Sequence, residues 1–501
     1  MGEKIAEFRN RWEKISRLNH ALAVLHWDME TYMPEKGING RSGQISLLSE
    51  IAHKWLTADE TIRSIEAAEL ETAGDEYYSD GAAMLRAARR QYGQQAKLPE
   101  SLVVQFAETT AEANSIWVKA RSDNDFPAFS QSLEKIVSLN REMAECLGYR
   151  ESPYDALLDL YEPDMTASMV APLFNAMKER LVPMVKAVSE KGNEKNPLEG
   201  MSFDVNAQER FGLMVLGDMG YDFSRGRQDR SAHPFTTSFG PWDVRITTRF
   251  HEQDLLSALF STIHEGGHAL YEQGLPLDMT GTPLCEAVSL GVHESQSRLW
   301  ENIVGRSREF WGHYFPKLRK HFPTIPAGIN EDLFYRLANR VEPGLVRVES
   351  DEVTYNLHIF IRFEIEQELI AGTLRIQDLP ERWNEGYRSY LGIVPPDEAR
   401  GCLQDIHWAH GSFGYFPTYS LGNLLSAQFF NAAEKAVPDL KSRIAGGDLG
   451  SLKEWLNEHI HCHGARYTMP ELVKEVTGEK MRAEPFLDYL EIKFNALYNM
   501  G

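Results

Sequence analysis

Residues 264–268 read His264-Glu265-Gly266-Gly267-His268, and this spacing carries the most specific chemistry in the chain. Residues four apart on an α-helix share one face, one turn apart, so both imidazoles can reach a single tetrahedral ion. Glu265 lies about 100° round the helix from His264, where it can touch a metal-bound water without ligating the metal. Zinc lowers the pKa of such a water to about 7, and a nearby carboxylate takes its proton as it attacks a polarised carbonyl. The expected chemistry is therefore metal-assisted hydrolysis. A purely structural helix with chance spacing is the bland alternative. It fits poorly with two interior glycines, each about 1 kcal/mol less favourable than alanine. Close approach of another backbone or of a ligand would account for them.

A catalytic zinc also needs a third protein ligand and a position open to water. No histidine lies between residues 269 and 292, which removes the three-histidine pattern. The next helical stretch, 285–304, offers Glu286, His293, Glu294 and Glu301. Glu294 has Arg298 one turn on, and an ordinary i,i+4 ion pair explains that spacing equally well. On spacing alone Glu294, Glu286 and His293 stay open.

The elements that must position these groups are legible around them. Leu255, Leu256, Leu259, Phe260 and Ile263 form a buried stripe leading into the motif, and Gly274 can end the helix. Upstream, Trp242 to Phe250 reads WDVRITTRF, where Val244, Ile246, Thr248 and Phe250 alternate with polar residues, predicting a strand. Residues 234–239 and the Gly240-Pro241 pair suggest its hairpin partner and turn. Such an edge strand could pair with an extended peptide or merely brace the helix. Elsewhere helical spacing dominates, as in Phe8, Trp12, Ile15, Leu18, Leu22 and Leu25. Lys191 to Gly200, rich in Gly, Asn and charge, is the best loop boundary.

Composition bounds the partners. With 52 basic and 73 acidic residues in 501, the net charge is −21, and no Lys/Arg run interrupts it. Such a chain repels phosphate backbones and anionic lipid, so nucleic-acid and membrane partners are not expected. No apolar run approaches the roughly 18 residues of a membrane span. Cys146, Cys285, Cys402 and Cys462 are scattered, which suggests neither a disulfide framework nor a thiolate metal site. Residues 1–12 are charged and amphipathic, unlike a signal peptide, so a cytoplasmic setting is expected.

Six ordered motifs then carry a family resemblance. They are His233-Pro234-Phe235, the D-x-R-x-T of Asp243 to Thr247, the H-E-x-x-H, and His293-Glu294-Ser295-Gln296. Val346-Arg347 with Ser350-Asp351 follows, and then the G-x-x-Q-D-x-H-W of Gly401 to Trp408. Together they resemble the carboxypeptidase Taq family of zinc metallocarboxypeptidases over most of the chain. The one departure is Val346, where Ile or Asn is usual. The resemblance implies a mainly α, two-lobed helical metallopeptidase with a deep groove and one small β-sheet beside the zinc helix. It would form a single peptidase unit over 1–501, with a helical lobe over about 1–195 and a zinc-site lobe over about 204–501. It implies a homodimer that releases C-terminal amino acids from peptides with broad specificity.

The resemblance also implies residue roles. The metal ligands would be His264, His268 and Glu294, binding one zinc per chain, with cobalt the alternative ion. Glu265 would be the general base. His407 with Tyr415 or Tyr419 would donate to the developing oxyanion, although buried aromatics with tip hydrogen bonds are the commoner fate of such tyrosines. Arg347 would grip the substrate's terminal carboxylate, with Arg245 and His233 as further substrate contacts. The alternative for Arg347 is pairing with Glu349 or Asp351 on its own segment. His459, His461 and His463 alternate without accompanying carboxylates, so a structural cluster is expected there in place of a second metal site.

Overall fold

The computed structural model describes residues 2–192 and 195–500. Among them are twenty α-helices and a single three-stranded sheet, so the architecture is mainly α. The chain forms two compact units, each drawn from three segments. One comprises Met1–Gln95, Asn196–Ala338 and Leu425–Met481, and the other Ala96–Lys195, Asn339–Leu424 and Arg482–Gly501. No described helix is long and apolar enough to cross a membrane.

In the first unit the sheet consists of β1 (Gln228–Arg230), β2 (Thr236–Ser238) and β3 (Val244–Thr248), in the order β1-β3-β2. The expected hairpin is β2 against β3, antiparallel, with Thr236 opposite Ile246 and Ser238 opposite Val244. Gly240 adopts φ +100° in the connection, a conformation that side chains on L-residues disfavour. β1 pairs parallel with β3 and has no counterpart in the sequence reading. Its three residues, Gln-Asp-Arg, are too few and too polar to show a strand period.

The helix bearing the motif runs Leu255–Gly274. Asp254 caps it, accepting from Ser257 N at 3.0 Å and satisfying one of the donors a helix start leaves orphaned. Leu255, Leu259, Phe260 and Ile263 are buried, and Thr262 joins the helix to β3 through Thr248 at 3.0 Å. The helix stops where Gly274 lies against His461, too close for a Cβ. A second core in the same unit packs Phe8, Trp12, Ile65, Met84 and Leu284.

In the second unit the Thr354–Ala371 helix is buried along most of its length. Phe360 and Phe363 meet Phe174 of the Ala167–Lys191 helix, with ring centroids 4.7 and 5.1 Å apart. The polar residues His358, Arg362 and Glu366 recur every four positions along this helix and are all fully buried.

Candidate metal centre and cationic cluster

The motif helix and the Leu290–Arg298 helix bring His264, His268 and Glu294 together, one ligand atom of each within 4.8 Å of the others. Glu294 Oε2 lies 3.8 Å from His264 Nε2 and 3.5 Å from His268 Nε2. Its other oxygen accepts from Arg298 Nε at 2.7 Å, so the i,i+4 pair holds one oxygen while the other faces the two histidines. Burial alone would raise the Glu294 carboxyl, but Arg298 and His264 hold it well below the usual range. Burial, then His293, push His268 down to about 3, leaving the neutral imidazole that metal binding requires. Two imidazole nitrogens and one carboxylate oxygen fit zinc, with room for a further ligand.

The two glycines let these helices meet. A Cβ on Gly267 would sit 2.7 Å from both Gln296 O and Ser297 Cα, which are backbone atoms of the Glu294 helix. Gly266 faces side-chain ends, Leu216 and Met219. Gly267→Ala is thus expected to push the Glu294 helix away, costing about 1–3 kcal/mol of stability together with metal affinity. Gly266→Ala should be milder, since side chains can swing aside. Thermal melts and zinc titration check this; a Gly267→Ala protein as stable and as tight-binding as the parent would refute the close-approach reading.

Glu265 is buried on the same helix, and Thr236 Oγ1 on β2 donates to its Oε2 at 2.7 Å. Burial raises its carboxyl above the ordinary value, opposed by His264 and by the Thr236 bond. Glu286 stands outside the ligand group and accepts from Gln91 Nε2. His293 is outside it too, with Nδ1 against His268 Nδ1. His233 is exposed, and its carbonyl accepts from Ser231 Oγ. Arg245 closes both arms of its fork on Asp243, at 2.9 and 2.7 Å, and lies over the Trp27 ring. His461 is buried between Asn457 and Gln296, at 2.7 and 2.9 Å, and His459 and His463 form no metal-capable group with it.

In the second unit Arg347, His407, Tyr415 and Tyr419 come together around a buried ion cluster. Asp405 Oδ1 accepts from Arg347 Nε and Nη2, at 3.1 and 3.0 Å, while Oδ2 accepts from Arg362 Nε at 2.7 Å. Arg347 therefore pairs across to the G-x-x-Q-D-x-H-W segment instead of with Glu349 or Asp351. Tyr355 takes its Nη1 at 3.1 Å, and the Tyr419 ring lies 4.9 Å away. His407 lies against Phe416 and Tyr415 with tilted rings, centroids 4.6 and 5.3 Å away, and its Nε2 is 3.4 Å from the Tyr419 hydroxyl. Burial, then Arg347, push it down to about 3, so it is neutral at working pH. Two guanidiniums share the Asp405 carboxylate, and Glu366, pushed up to about 7 by burial, is a further carboxyl within reach of Arg362. Glu366 accepts from Trp408 Nε1, Tyr154 Oη and Gly414 N, pinning the loop that carries His407.

Arg362, Glu366 and Thr236 were not singled out from the sequence, and Glu301, named there among the candidate ligands, stands behind His264 instead. For the first two a signal existed: charged residues at i, i+4 spacing in the apolar run HIFIRFEIE. Thr236 has no such mark, because its partner Glu265 is 29 positions away.

A mainly helical frame holding two histidines, one turn apart, against a buried carboxylate defines a metal-dependent hydrolase. The sequence profile of the carboxypeptidase Taq (M32) metallopeptidases matches residues 7–494. Thermostable carboxypeptidase 1 of Thermus thermophilus is 43% identical, over 99% of this chain and 98% of its own. Carboxypeptidase 1 of Bacillus subtilis is 38% identical over 98% of each. The crystal structure of an M32 carboxypeptidase from Deinococcus radiodurans, 40% identical, superposes with a TM-score of 0.96 over the whole of both chains. The chain belongs to the M32 carboxypeptidase Taq family, and it is a metallopeptidase.

Proposed function

We propose that this chain is a zinc-dependent carboxypeptidase that releases C-terminal amino acids with broad specificity. The gathering of His264, His268 and Glu294 beside Glu265 carries the proposal. His264, His268 and Glu294 would hold the zinc ion, which would supply Lewis acidity toward water and the scissile carbonyl. Glu265, its Oε2 fixed by Thr236, accepts the proton of the attacking water and returns it to the leaving amine. His407, with Tyr415 or Tyr419, donates to the oxygen on which charge develops.

Arg347 takes the terminal carboxylate. The pairing favours it over Arg245, because Asp243 pairs Arg245 one to one, whereas Asp405 is shared by two arginines. His233 remains a proposed outer contact. The homodimer and the cytoplasmic setting belong to the same reading.

The experiment is a mass-spectrometric time course on a mixed peptide pool. Ladders should shorten from the C-terminus alone, stop on chelation, and resume on adding zinc. Internal fragments, or ladders shortening from the N-terminus, would overturn the carboxypeptidase assignment in favour of an endopeptidase or aminopeptidase.

A further inference from the structure

The two ligand histidines are braced from behind in different ways. His264 Nδ1 meets Glu301 Oε2 at 2.9 Å, and Glu301 is itself held by Arg298 and Arg306, each at 3.2 Å. This is the direct carboxylate–imidazole brace common at metal sites. His268 has none. Its Nδ1 instead faces His293 Nδ1 at 2.5 Å, and His293 Nε2 lies 2.9 Å from Glu272 Oε1. Glu272 stands one turn beyond His268 on the same helix, and His293 is the neighbour of Glu294 on the other.

The proton count along this chain is fixed by its ends. His268 turns Nε2 toward Glu294, so its single proton as a neutral ligand sits on Nδ1. His293 must then offer a bare Nδ1 and carry its own proton on Nε2, which donates to the Glu272 carboxylate. Each link is a donor facing an acceptor, and both tautomers are set. The rings lie 4.5 Å apart at 37°, so His293 also limits the swing of His268.

We infer that His293 is a positioning residue for the metal: it accepts from His268, donates to Glu272, and so holds the second ligand histidine in its binding rotamer and tautomer. The inference rests on the metal triad proposed above. It goes further in giving a residue outside the triad, and a carboxylate that never touches the ion, a share in metal affinity. Removing His293 strands a donor on His268 and leaves the partly buried Glu272 carboxylate with Ser238 as its hydrogen-bond partner.

The test measures zinc affinity by competition with a chromophoric chelator, with thermal melts of the metal-free proteins to verify folding. His293→Leu is expected to bind zinc about 10- to 100-fold more weakly. His293→Gln can accept and donate along the same line and should recover much of the loss. Glu272→Ala should weaken zinc in the otherwise native chain, and adding it to His293→Leu should cost nothing more, because Glu272 acts through His293. Should His293→Leu fail to fold, Glu272→Ala and His293→Gln decide alone. Parent-like affinity in His293→Leu or in Glu272→Ala, or losses that simply add in the double variant, would overturn the inference. Absence of zinc binding by the parent protein would overturn the triad itself, a separate result.

Discussion

Glu265→Gln is expected to keep its metal and lose about 10²- to 10⁴-fold in turnover, the range typical of lost acid–base catalysis. Three features of the site lead there. The carboxylate is buried beside the ligand group without belonging to it, so an amide of the same shape leaves the two imidazoles and Glu294 undisturbed. Thr236 Oγ1 donates to Oε2 at 2.7 Å, and an amide oxygen can accept that bond, so the rotamer is preserved. Burial raises the carboxyl above its ordinary value, which makes the ionised form a better base than a free glutamate. The same shift gives a control. A carboxyl raised in the folded state stabilises the fold only below its unfolded pKa, and that contribution is gone once pH passes the folded value. At neutral pH, then, Gln should not lower the melting temperature of the metal-free protein. Metal content, single-turnover rates and the melt are measured together. Near-parental turnover in a metal-replete Gln protein would remove Glu265 from the role of base.

How much of this was legible beforehand depended on whether the determining contacts were local. The motif helix was readable because its information is local: two histidines four apart, a leading apolar stripe and a glycine at the stop. β3 was readable because Val244 and Ile246 alternate with polar neighbours. β1 was not, because Gln228–Arg230 becomes a strand only by pairing with β3. The glycines announced a close approach, and only the fold could say that Gly267 faces backbone while Gly266 faces side chains. Of the five passages between its units, the one at 195/196 lies inside the Gly- and Asn-rich loop, while the one at 424/425 lies inside the continuous Pro417–Ala436 helix. No local composition could mark the latter. The braces on the ligands were hidden for the same reason: Glu301 meets His264 across 37 positions, and a π-helical turn at Leu299–Val304 carries it.

Arg347→Ala should abolish most of the preference for a peptide's free acid over its C-terminal amide. A charge-assisted hydrogen bond is worth about 1.5–3 kcal/mol, so losing a two-armed grip should lower kcat/KM on the acid about 10²-fold or more. Cleavage of the amide, which never had that contact, should change little. Arg347 is a suitable point of attack because the fold tolerates its loss better than that of most buried charges. Asp405 retains Arg362, so the deletion leaves a balanced pair and no stranded carboxylate. What disappears is one of the two guanidinium charges that share Asp405. Ala also removes the guanidinium beside the Tyr419 ring, and that tyrosine is one of the proposed oxyanion donors. Arg347→Lys separates the two effects: it keeps the charge, lacks the planar fork, and should fall between parent and Ala in its acid preference. One peptide is compared as acid and amide in all three proteins, with zinc content measured in each. Equal cleavage of acid and amide by the parent would favour an endopeptidase. A preference that survives in Arg347→Ala would move carboxylate recognition to another arginine, Arg245 on β3 being the first to examine.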